Sequence, residues 1–207
     1  MISALRGFGA VAVAAAIATV IFTAPGANAV EASALSMTVG AITSQPIGHY
    51  EFCKRNPVEC NSRMQPTSAS EITEFGWQLV EEVNASVNAS IRPRTDREMH
   101  GVEELWSYPT VEGDCEDYAL LKRLMLIERG FDASDLLLTV VRKMDGEGHA
   151  VLTLRSARGD YILDNLDDTV RLWTDTPYVF VKRQASFDSG RWVSIEYARD
   201  VPVGALH

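Results

Sequence analysis

The feature that most constrains the fold of this chain is a strongly apolar, helix-like run at residues 119–127, which directly follows the segment Gly-Asp-Cys-Glu-Asp-Tyr at 113–118. The run is apolar on nearly every side, and a helix of that kind has to be buried in a protein core. Lys122 and Arg123 lie toward the C-terminal end of the predicted helix, where cations are favoured, and Gly130 is the expected stop signal. We therefore predict a buried helix that begins at or just before the cysteine.

The rest of the chain contains the elements that would bury this helix. Ser68 and Glu71 match a capping box, and apolar residues recur at helical spacing from there to Pro93, which predicts an amphipathic helix of about twenty residues. Beyond Gly130 the apolar period shortens to two, and turn residues separate β-favouring runs at 136–141, 149–155, 160–163, 170–173, 178–182 and 191–197. Helices followed by strands predict an α+β domain in which a buried helix packs on an antiparallel sheet.

The cysteines indicate one disulfide and one free thiol. Three cysteines leave an odd one after pairing. Cys53 and Cys60 are near neighbours in a polar, proline-containing loop, and we expect them to form a disulfide that contributes about 2–3 kcal/mol. Cys115 is then the free thiol. The alternative, a metal site built from all three sulfurs, lacks the Cys-x-x-Cys spacing typical of such sites.

Residues 1–29 are typical of a secretory signal peptide. Arg6 precedes an uncharged apolar stretch at 7–24, and the Ala-Asn-Ala triplet at 27–29 matches the small-residue cleavage pattern. The alternative is a transmembrane anchor, but the apolar stretch is short for a bilayer crossing. We therefore expect export and cleavage, with a mature chain that begins near Val30.

The mature chain is expected to contain a short arm and one domain. Residues 30–67 are rich in Ser, Thr, Gly and Pro and show no clear period, which predicts an extended arm with loops. Residues 68–200 are long enough for a single hydrophobic core. The formal net charge is -9 at pH 7 and no basic cluster stands out, so nucleic acids and anionic lipid surfaces are poor candidates as partners. Cations are plausible ligands.

Cys115 has the setting of a reactive thiol, because it lies at the start of a predicted helix, where the helix dipole favours a thiolate. His149 opens a later strand after a Gly-containing loop and is the expected general base, with His100 as the alternative. Asp164 closes the next strand, so a hairpin would bring its carboxylate to the imidazole. Residues close enough to replace it are Asn165, Asp167 and Asp168. Cys, His and Asp in this order indicate a thiol-dependent hydrolase or acyltransferase.

The acidic residues around the thiol create a difficulty. Asp114, Glu116 and Asp117 surround Cys115 with negative charge, which opposes its ionisation, while the helix dipole supplies only about half a positive charge. A cluster of carboxylates suits Ca²⁺, and we infer a bound calcium ion that stabilises the turn of the nucleophile. The alternative is that these acids only mark a helix start, where Asp and Glu are common.

The connector at 91–112 is expected to line the site. It carries the aromatic cluster Trp-Ser-Tyr at 106–108, just upstream of the thiol. The backbone N–H of Cys115 is expected to help hold the oxyanion. Trp106 and Tyr118 are candidates for a second donor, although each is more typical of core packing.

Three motifs resemble those of the bacterial transglutaminase-like cysteine proteinases. They are Gly-Asp-Cys-Glu-Asp-Tyr at 113–118, His-Ala-Val-Leu at 149–152 and Leu-Asp-Asn-Leu at 163–166, and the similarity runs from residue 50 to residue 197. The resemblance implies a papain-like, transglutaminase-like core in which the buried helix carries the nucleophile.

The resemblance also implies a role for each site residue. Cys115 would be the nucleophile, His149 the general base and acid, and Asp164 the orienting residue. The implied calcium ligands are Asp114, Glu116 and Asp117. LapG-type members of this family are periplasmic proteases that clip large surface adhesins under the control of a membrane receptor. By resemblance, a periplasmic location, an adhesin as substrate and an inner-membrane receptor as regulatory partner are expected here.

Two other functions fit the same residues. Attack of an amine on the thioester intermediate would give transglutaminase or amidase chemistry. A non-catalytic, calcium-ordered binding module would keep the fold without the activity. The motifs favour a calcium-dependent cysteine endopeptidase that uses the triad of Cys115, His149 and Asp164.

Overall fold

The computed structural model of the protein describes residues 1, 35–61, 63 and 68–196. Apart from Met1, the predicted signal peptide lies outside the described residues, as does the chain beyond Glu196. None of the described helices combines the length and the apolarity that a bilayer crossing requires.

A seven-stranded antiparallel sheet is the framework of the described part of the chain. In chain order its strands are β1 (Thr38–Thr43), β4 (Leu136–Arg142), β5 (Gly148–Ser156), β6 (Gly159–Asp164), β7 (Asp167–Leu172), β8 (Val179–Ala185) and β9 (Asp188–Glu196). Two short segments, β2 (Arg92–Pro93) and β3 (Glu112–Gly113), form a separate parallel pair. The spatial order is β1-β9-β8-β4-β5-β6-β7, so β4 to β7 form a meander and β8 pairs with the free edge of β4. All six predicted strands are present.

Five α-helices and two short 3-10 helices, at Ala133–Asp135 and Trp173–Asp175, complete the described structure, and the α-helices are numbered in chain order. They are α1 (Ile47–Arg55), α2 (Pro57–Cys60), α3 (Glu74–Ser90), α4 (Asp96–His100) and α5 (Cys115–Glu128). Helix α5 packs against β5 and is covered by α3, which also contacts β7. Leu126 of α5 is fully buried, and a buried leucine contributes about 2 kcal/mol. The predicted α+β architecture, with a buried helix on an antiparallel sheet, is confirmed.

Two charged residues of α5 are placed differently from the prediction. Lys122 and Arg123 lie in the middle of the helix rather than toward its C-terminal end, and both are buried. The Lys122 amine donates a hydrogen bond of 2.8 Å to Asn84 Oδ1 on α3, and the Arg123 guanidinium donates one of 3.0 Å to the carbonyl oxygen of Leu136. Each buried polar side chain therefore has a hydrogen-bond partner from another element. The helix ends as predicted, because Gly130 adopts a left-handed φ of 92°.

Helix α3 starts later than predicted from the apparent capping box at Ser68. Its first helical residue is Glu74, and the Thr73 hydroxyl accepts a hydrogen bond from a backbone N–H three residues further on. The segment before it is held in an extended form, because the N–H and the hydroxyl of Ser70 both donate to the Asp135 carboxylate, at 3.2 and 2.6 Å. A long-range partner thus prevents the first turn that local pattern predicts.

The N-terminal arm is more regular than predicted. Its described part contains β1, α1 and α2, and β1 pairs with β9 at the edge of the sheet. The predicted disulfide between Cys53 and Cys60 is present and joins α1 to α2. Before β1, the chain crosses one face of the sheet, where the Met37 N–H donates to the buried carboxylate of Asp160 at 2.9 Å. The described arm therefore belongs to the same core as the helices and the sheet.

Candidate active site

Cys115 is the first residue of α5, and Asp114 is the residue that precedes the helix. It is the free thiol among the three cysteines of the sequence, because the other two form the disulfide. Its side chain is partly buried, and the S–H donates a hydrogen bond of 3.2 Å to Glu116 Oε2. The predicted setting at a helix N-terminus is therefore observed, with a carboxylate in direct contact.

The histidine and the aspartate come from neighbouring antiparallel strands. His149 is near the start of β5 and Asp164 is the last residue of β6, and the pairing of Leu152 with Leu163 brings these two strand ends together. The His149 Nε2 atom lies 2.8 Å from Asp164 Oδ1, and both side chains are buried. This contact leaves Nδ1 as the ring nitrogen available to a thiol.

Asp164 is the carboxylate that contacts the imidazole among the residues considered from the sequence. Asp167 instead pairs with Arg171 at 2.6 Å, and Asp168 accepts a hydrogen bond from Asn88. Burial raises the pKa of Asp164, but hydrogen bonds from His149 and from a tyrosine outweigh it, and the net pKa lies below its ordinary value. The side chain is thus an anion at neutral pH.

Cys115 and His149 line one open cleft of about 340 Å³. One wall comes from the connector, through Pro93 to Thr95, and the other from the loop ends around Asn165 and Leu166. The Leu166 side chain is exposed, so the cleft offers an apolar contact beside the polar pair. The thiol, the imidazole and an exposed apolar side chain therefore share one cleft.

The connector lines this cleft as predicted, but it does so through Pro93, Arg94, Thr95 and Glu98 and not through its aromatic cluster. Trp106 is 3% exposed and packs against His49 and Trp192, while Tyr108 packs against Phe52. These rings are apolar enough to join the core formed by the arm and β9, and they leave the cleft wall to smaller residues of the same connector.

Neither aromatic residue considered as a second oxyanion donor is directed at the thiol. The Trp106 indole N–H donates to Glu104 at 2.9 Å, and the Tyr118 hydroxyl donates to the carbonyl oxygen of Ile91 at 2.5 Å. Both donors are therefore engaged with acceptors other than the site of the thiol.

The carboxylates near the thiol form a cluster that differs by one residue from the predicted set. Oxygen atoms of Asp96, Asp114 and Glu116 lie within 4.8 Å of one another. Asp96, on α4, was not considered from the sequence, where it lies in a polar connector. Asp117 lies outside this cluster, because its Oδ1 accepts the backbone N–H of Ser107 at 2.8 Å. Its pKa is raised by burial to about 7.

The carboxylates of this cluster are only partly satisfied by hydrogen bonds. Asp96 and Glu116 are buried, and Oδ1 of both Asp96 and Asp114 has no hydrogen-bond partner among the described residues. Burial and the charge of Asp114 raise the pKa of Glu116 to about 9. Three carboxylates with oxygens within 4.8 Å of one another, two of these residues buried and two oxygens unpartnered, fit a divalent cation of the calcium type.

The thiol is affected by the same charges. Burial raises the pKa of Cys115 well above its ordinary value, and the charge of Glu116 raises it further. The backbone N–H of Ala150 acts in the opposite direction. The side chains alone therefore oppose the thiolate that a nucleophilic mechanism needs, as the sequence suggested.

A thiol at the start of a buried helix, with an imidazole and a carboxylate on the adjoining strands, defines the class of thiol peptidases that share the transglutaminase-like core. The profile of the bacterial transglutaminase-like cysteine proteinases (BTLCP) matches residues 39–200, which is most of the chain. The chain belongs to this family, and it is a cysteine peptidase of the transglutaminase-like fold.

Solved structures are similar in fold. LapG from Legionella pneumophila in its calcium-bound form matches with a TM-score of 0.50 and 22% sequence identity, over 61% of this chain and 75% of that protein. An EGTA-treated LapG structure matches with a TM-score of 0.49 and 21% identity, over 61% of this chain and 74% of that protein. No curated protein sequence matches the chain.

Proposed function

We propose that this cysteine peptidase is a calcium-dependent endopeptidase that uses Cys115 as nucleophile, His149 as general base and acid, and Asp164 as the orienting residue. The observation that carries the proposal is the 2.8 Å contact between His149 Nε2 and Asp164 Oδ1, beside a cleft that His149 shares with the free thiol. A buried carboxylate on one ring nitrogen fixes the tautomer and directs the other nitrogen to the nucleophile.

The reaction would proceed through a thioester. Cys115 Sγ, after giving its proton to His149, attacks the carbonyl carbon of the scissile peptide, and a C–S bond forms. The imidazolium returns the proton to the leaving amine as the C–N bond breaks. Water, deprotonated by His149, then attacks the thioester, which releases the new carboxyl terminus and restores the thiol. The Cys115 backbone N–H, at the start of α5, would hold the oxyanion of both addition steps.

Asp96, Asp114 and Glu116 are the residues that would hold the calcium ion. Their oxygens are close together, buried and in part unpartnered. Bound calcium would neutralise the cluster that otherwise raises the pKa of the thiol. Calcium is the ion to test first, because a protein of the same fold, LapG, has been solved in a calcium-bound form.

The substrate is proposed to be a bacterial surface protein. By resemblance to LapG-type proteases, the enzyme would act in the periplasm on a large adhesin and would be controlled by an inner-membrane receptor. The apolar stretch at 7–24 and the cleavage triplet at 27–29 support export. Mass spectrometry of the protein from a periplasmic fraction should find a chain that begins near Val30, and an intact N-terminus would contradict this location.

The catalytic proposal is tested with purified protein and surface proteins of the source cell. Wild type with calcium should produce fragments that Cys115→Ser does not. Each new carboxyl terminus should contain one oxygen atom that comes from water. A labelled primary amine is included, since its incorporation into the acyl fragments would favour the transglutaminase alternative. A thiol that alkylates no faster than free cysteine, with no cleavage of any protein, would instead favour a non-catalytic module.

A further inference from the structure

A tyrosine outside the predicted triad contacts its aspartate. Tyr178, the residue directly before β8, donates a hydrogen bond of 2.5 Å from its hydroxyl to Asp164 Oδ2. The other carboxylate oxygen, Oδ1, receives His149 at 2.8 Å and the backbone N–H of Leu166 at 3.0 Å. Both oxygens of the Asp164 carboxylate therefore accept hydrogen bonds from specific donors.

The two sides of the carboxylate are held by different elements. Leu166 belongs to the turn between β6 and β7, while Tyr178 belongs to the approach to β8, on another part of the sheet. The terminal torsion of an aspartate side chain is soft, so a single donor leaves the carboxylate plane free to rock. A second donor on Oδ2 restricts that rotation and keeps Oδ1 directed at His149.

The tyrosine ring also contacts the histidine. The ring centroids of Tyr178 and His149 are 5.5 Å apart, with planes tilted by 53°. The Tyr178 ring packs in turn against a buried apolar cluster that includes Val141, Ile162 and Phe180. This packing fixes the position of the phenol relative to both the imidazole and the carboxylate.

We propose that Tyr178 is a positioning residue for the reaction, which holds the Asp164 carboxylate in the orientation that fixes the His149 ring. This proposal rests on the proposed triad of Cys115, His149 and Asp164. It extends the triad to a fourth member that touches no substrate atom and acts only through Asp164.

The chemistry of the phenol suits this role. Burial, together with the hydrogen bond to Asp164, raises the pKa of Tyr178 above its ordinary value. The hydroxyl therefore remains a donor across the neutral and mildly alkaline range and does not exchange its proton with the imidazole. A charge-assisted O–H to carboxylate hydrogen bond is also among the stronger side-chain contacts.

The test measures alkylation of Cys115 by iodoacetamide, an uncharged reagent, in calcium-containing buffer at pH 7. The other two cysteines are in the disulfide, so the reaction reports this thiol alone. We expect Tyr178→Phe to slow alkylation about tenfold, because it loses a hydrogen bond to a charged group. Tyr161→Phe is the matched control, since that tyrosine packs against Trp77 and its loss of a hydroxyl should leave the rate unchanged.

A double-mutant cycle separates positioning from general loosening of the fold. If Tyr178 acts through Asp164, the double variant with Asp164→Asn should react no more slowly than Asp164→Asn alone. Additive losses in the double variant would overturn the proposal. A Tyr178→Phe rate equal to wild type would overturn it too, and so would a Tyr178→Phe protein that no longer unfolds cooperatively, because the hydroxyl would then serve folding.

The two levels of proposal fail in different ways. If wild-type Cys115 reacts no faster than free cysteine, or if His149→Ala leaves the rate unchanged, the proposed triad itself is wrong. If His149→Ala and Asp164→Asn both slow the reaction and Tyr178→Phe does not, the triad stands and only the role of Tyr178 is lost.

Discussion

At the scale of single residues, few basic side chains are available to balance the negative charge of the carboxylates around Cys115. Of the basic side chains that line the cleft, Arg94 is paired with Glu112 at 2.9 Å and Lys143 with Glu147 at 2.5 Å. The carboxylates next to Cys115 therefore face the thiol without a basic partner from the cleft wall. A bound cation is the compensation that the proposed function requires, and the identity of its ligands is the first thing to test.

The structure and the sequence differ on the ligand set, which gives a discriminating experiment. Asp96→Asn should replace a charged ligand by a neutral amide and weaken calcium binding at least tenfold, with the loss of about 1.4 kcal/mol of calcium-dependent stabilisation. Asp117→Asn should keep the calcium response, because its Oδ1 accepts from Ser107 and an amide oxygen can do the same. Thermal unfolding with and without EGTA measures both variants.

The opposite result would restore the ligand set expected from the sequence. A calcium-induced rise in Tm that survives in Asp96→Asn and disappears in Asp117→Asn would place Asp117 at the ion. If chelation changes neither Tm nor alkylation of Cys115 in the wild type, the ion itself is wrong.

Because the Lys122 amine is buried, we expect the free energy of unfolding to depend on pH through this one residue. Burial lowers its pKa to about 7, and Asp164 and Asp168 only partly oppose this effect. Between that pKa and the ordinary value the unfolded chain binds the proton and the folded chain does not, so stability rises with pH. The unfolding free energy of wild type relative to Lys122→Met should therefore increase by about 2 kcal/mol from pH 7 to pH 9.

Urea unfolding at the two pH values measures this change. Lys54→Met is the control, because Lys54 is exposed on α1 and its pKa is raised by Glu51, so no difference should develop in this range. A wild-type advantage that stays constant or shrinks between pH 7 and pH 9 would mean that the buried amine keeps its proton.

At the scale of elements, α3 holds the turn that follows Asp164, the aspartate of the proposed triad. The Asn88 amide donates to the carbonyl oxygen of Asp164 at 2.9 Å and to Asp168 Oδ1 at 2.8 Å. The Asn84 amide donates to the carbonyl oxygens of Asp167 and Asp168, at 3.0 Å each. Because Asn84 also accepts from the Lys122 amine of α5, the turn is connected to the helix that begins at Cys115.

Asn88→Ala should loosen this turn. The change leaves the carbonyl oxygen of Asp164 without its side-chain donor, at a cost of about 1–3 kcal/mol, and hydrogen exchange at the β6–β7 turn should become faster. Ser90→Ala, on the same helix, is the control, since its hydroxyl contacts only the helix carbonyl of Val87. Unchanged exchange at the turn in Asn88→Ala would show that α3 does not hold it.

At the scale of the whole molecule, the arm and the domain share one core. Trp192 of β9 is fully buried, and its indole N–H donates to His49 Nδ1 on α1 at 3.1 Å. Burial and the charge of Arg123 lower the pKa of His49 to about 3, so the imidazole accepts as a neutral group. On the other face, Asp160 and Arg183 form a buried ion pair of 2.8 Å. The Met37 N–H of the arm donates to the same carboxylate oxygen.

Removing the arm should therefore abolish the fold. A chain that begins at Ser68 loses β1, α1 and the ring of Phe52, and Trp192 would become exposed. We expect it to lack the near-ultraviolet circular dichroism and the cooperative urea transition of a chain that begins at Leu35. A shortened chain that unfolds with the same midpoint would show that the helices and the remaining strands form an independent domain.

Much of this architecture could be predicted because the signals are short in range. The alternation of β4 to β9, the apolar surface of α5 and its glycine stop depend on neighbours within a few residues. The disulfide joins two cysteines that are seven positions apart in the sequence. The contact between His149 and Asp164 follows from the strand ends that the β5–β6 hairpin brings together. These features are properties of the chain itself.

The remaining features depend on partners that are distant in sequence. Glu116 and Asp117 are consecutive helical residues, so their side chains diverge by about 100° and cannot both face the cluster. The third position is taken by Asp96 from α4, and Asp117 turns to Ser107. Tyr178, which donates to Asp164, lies just before β8, and the periodicity of nearby residues does not predict this contact.

Backbone preference and apolar period act locally, so the helix, the strands and the residue types that can carry the chemistry follow from the amino-acid sequence alone. Tertiary packing sets which carboxylates share a site, which charged residue types enter the core and how far the arm belongs to the sheet. The physical reason is that a buried polar group has to find a partner, and that partner is chosen by packing rather than by position along the chain.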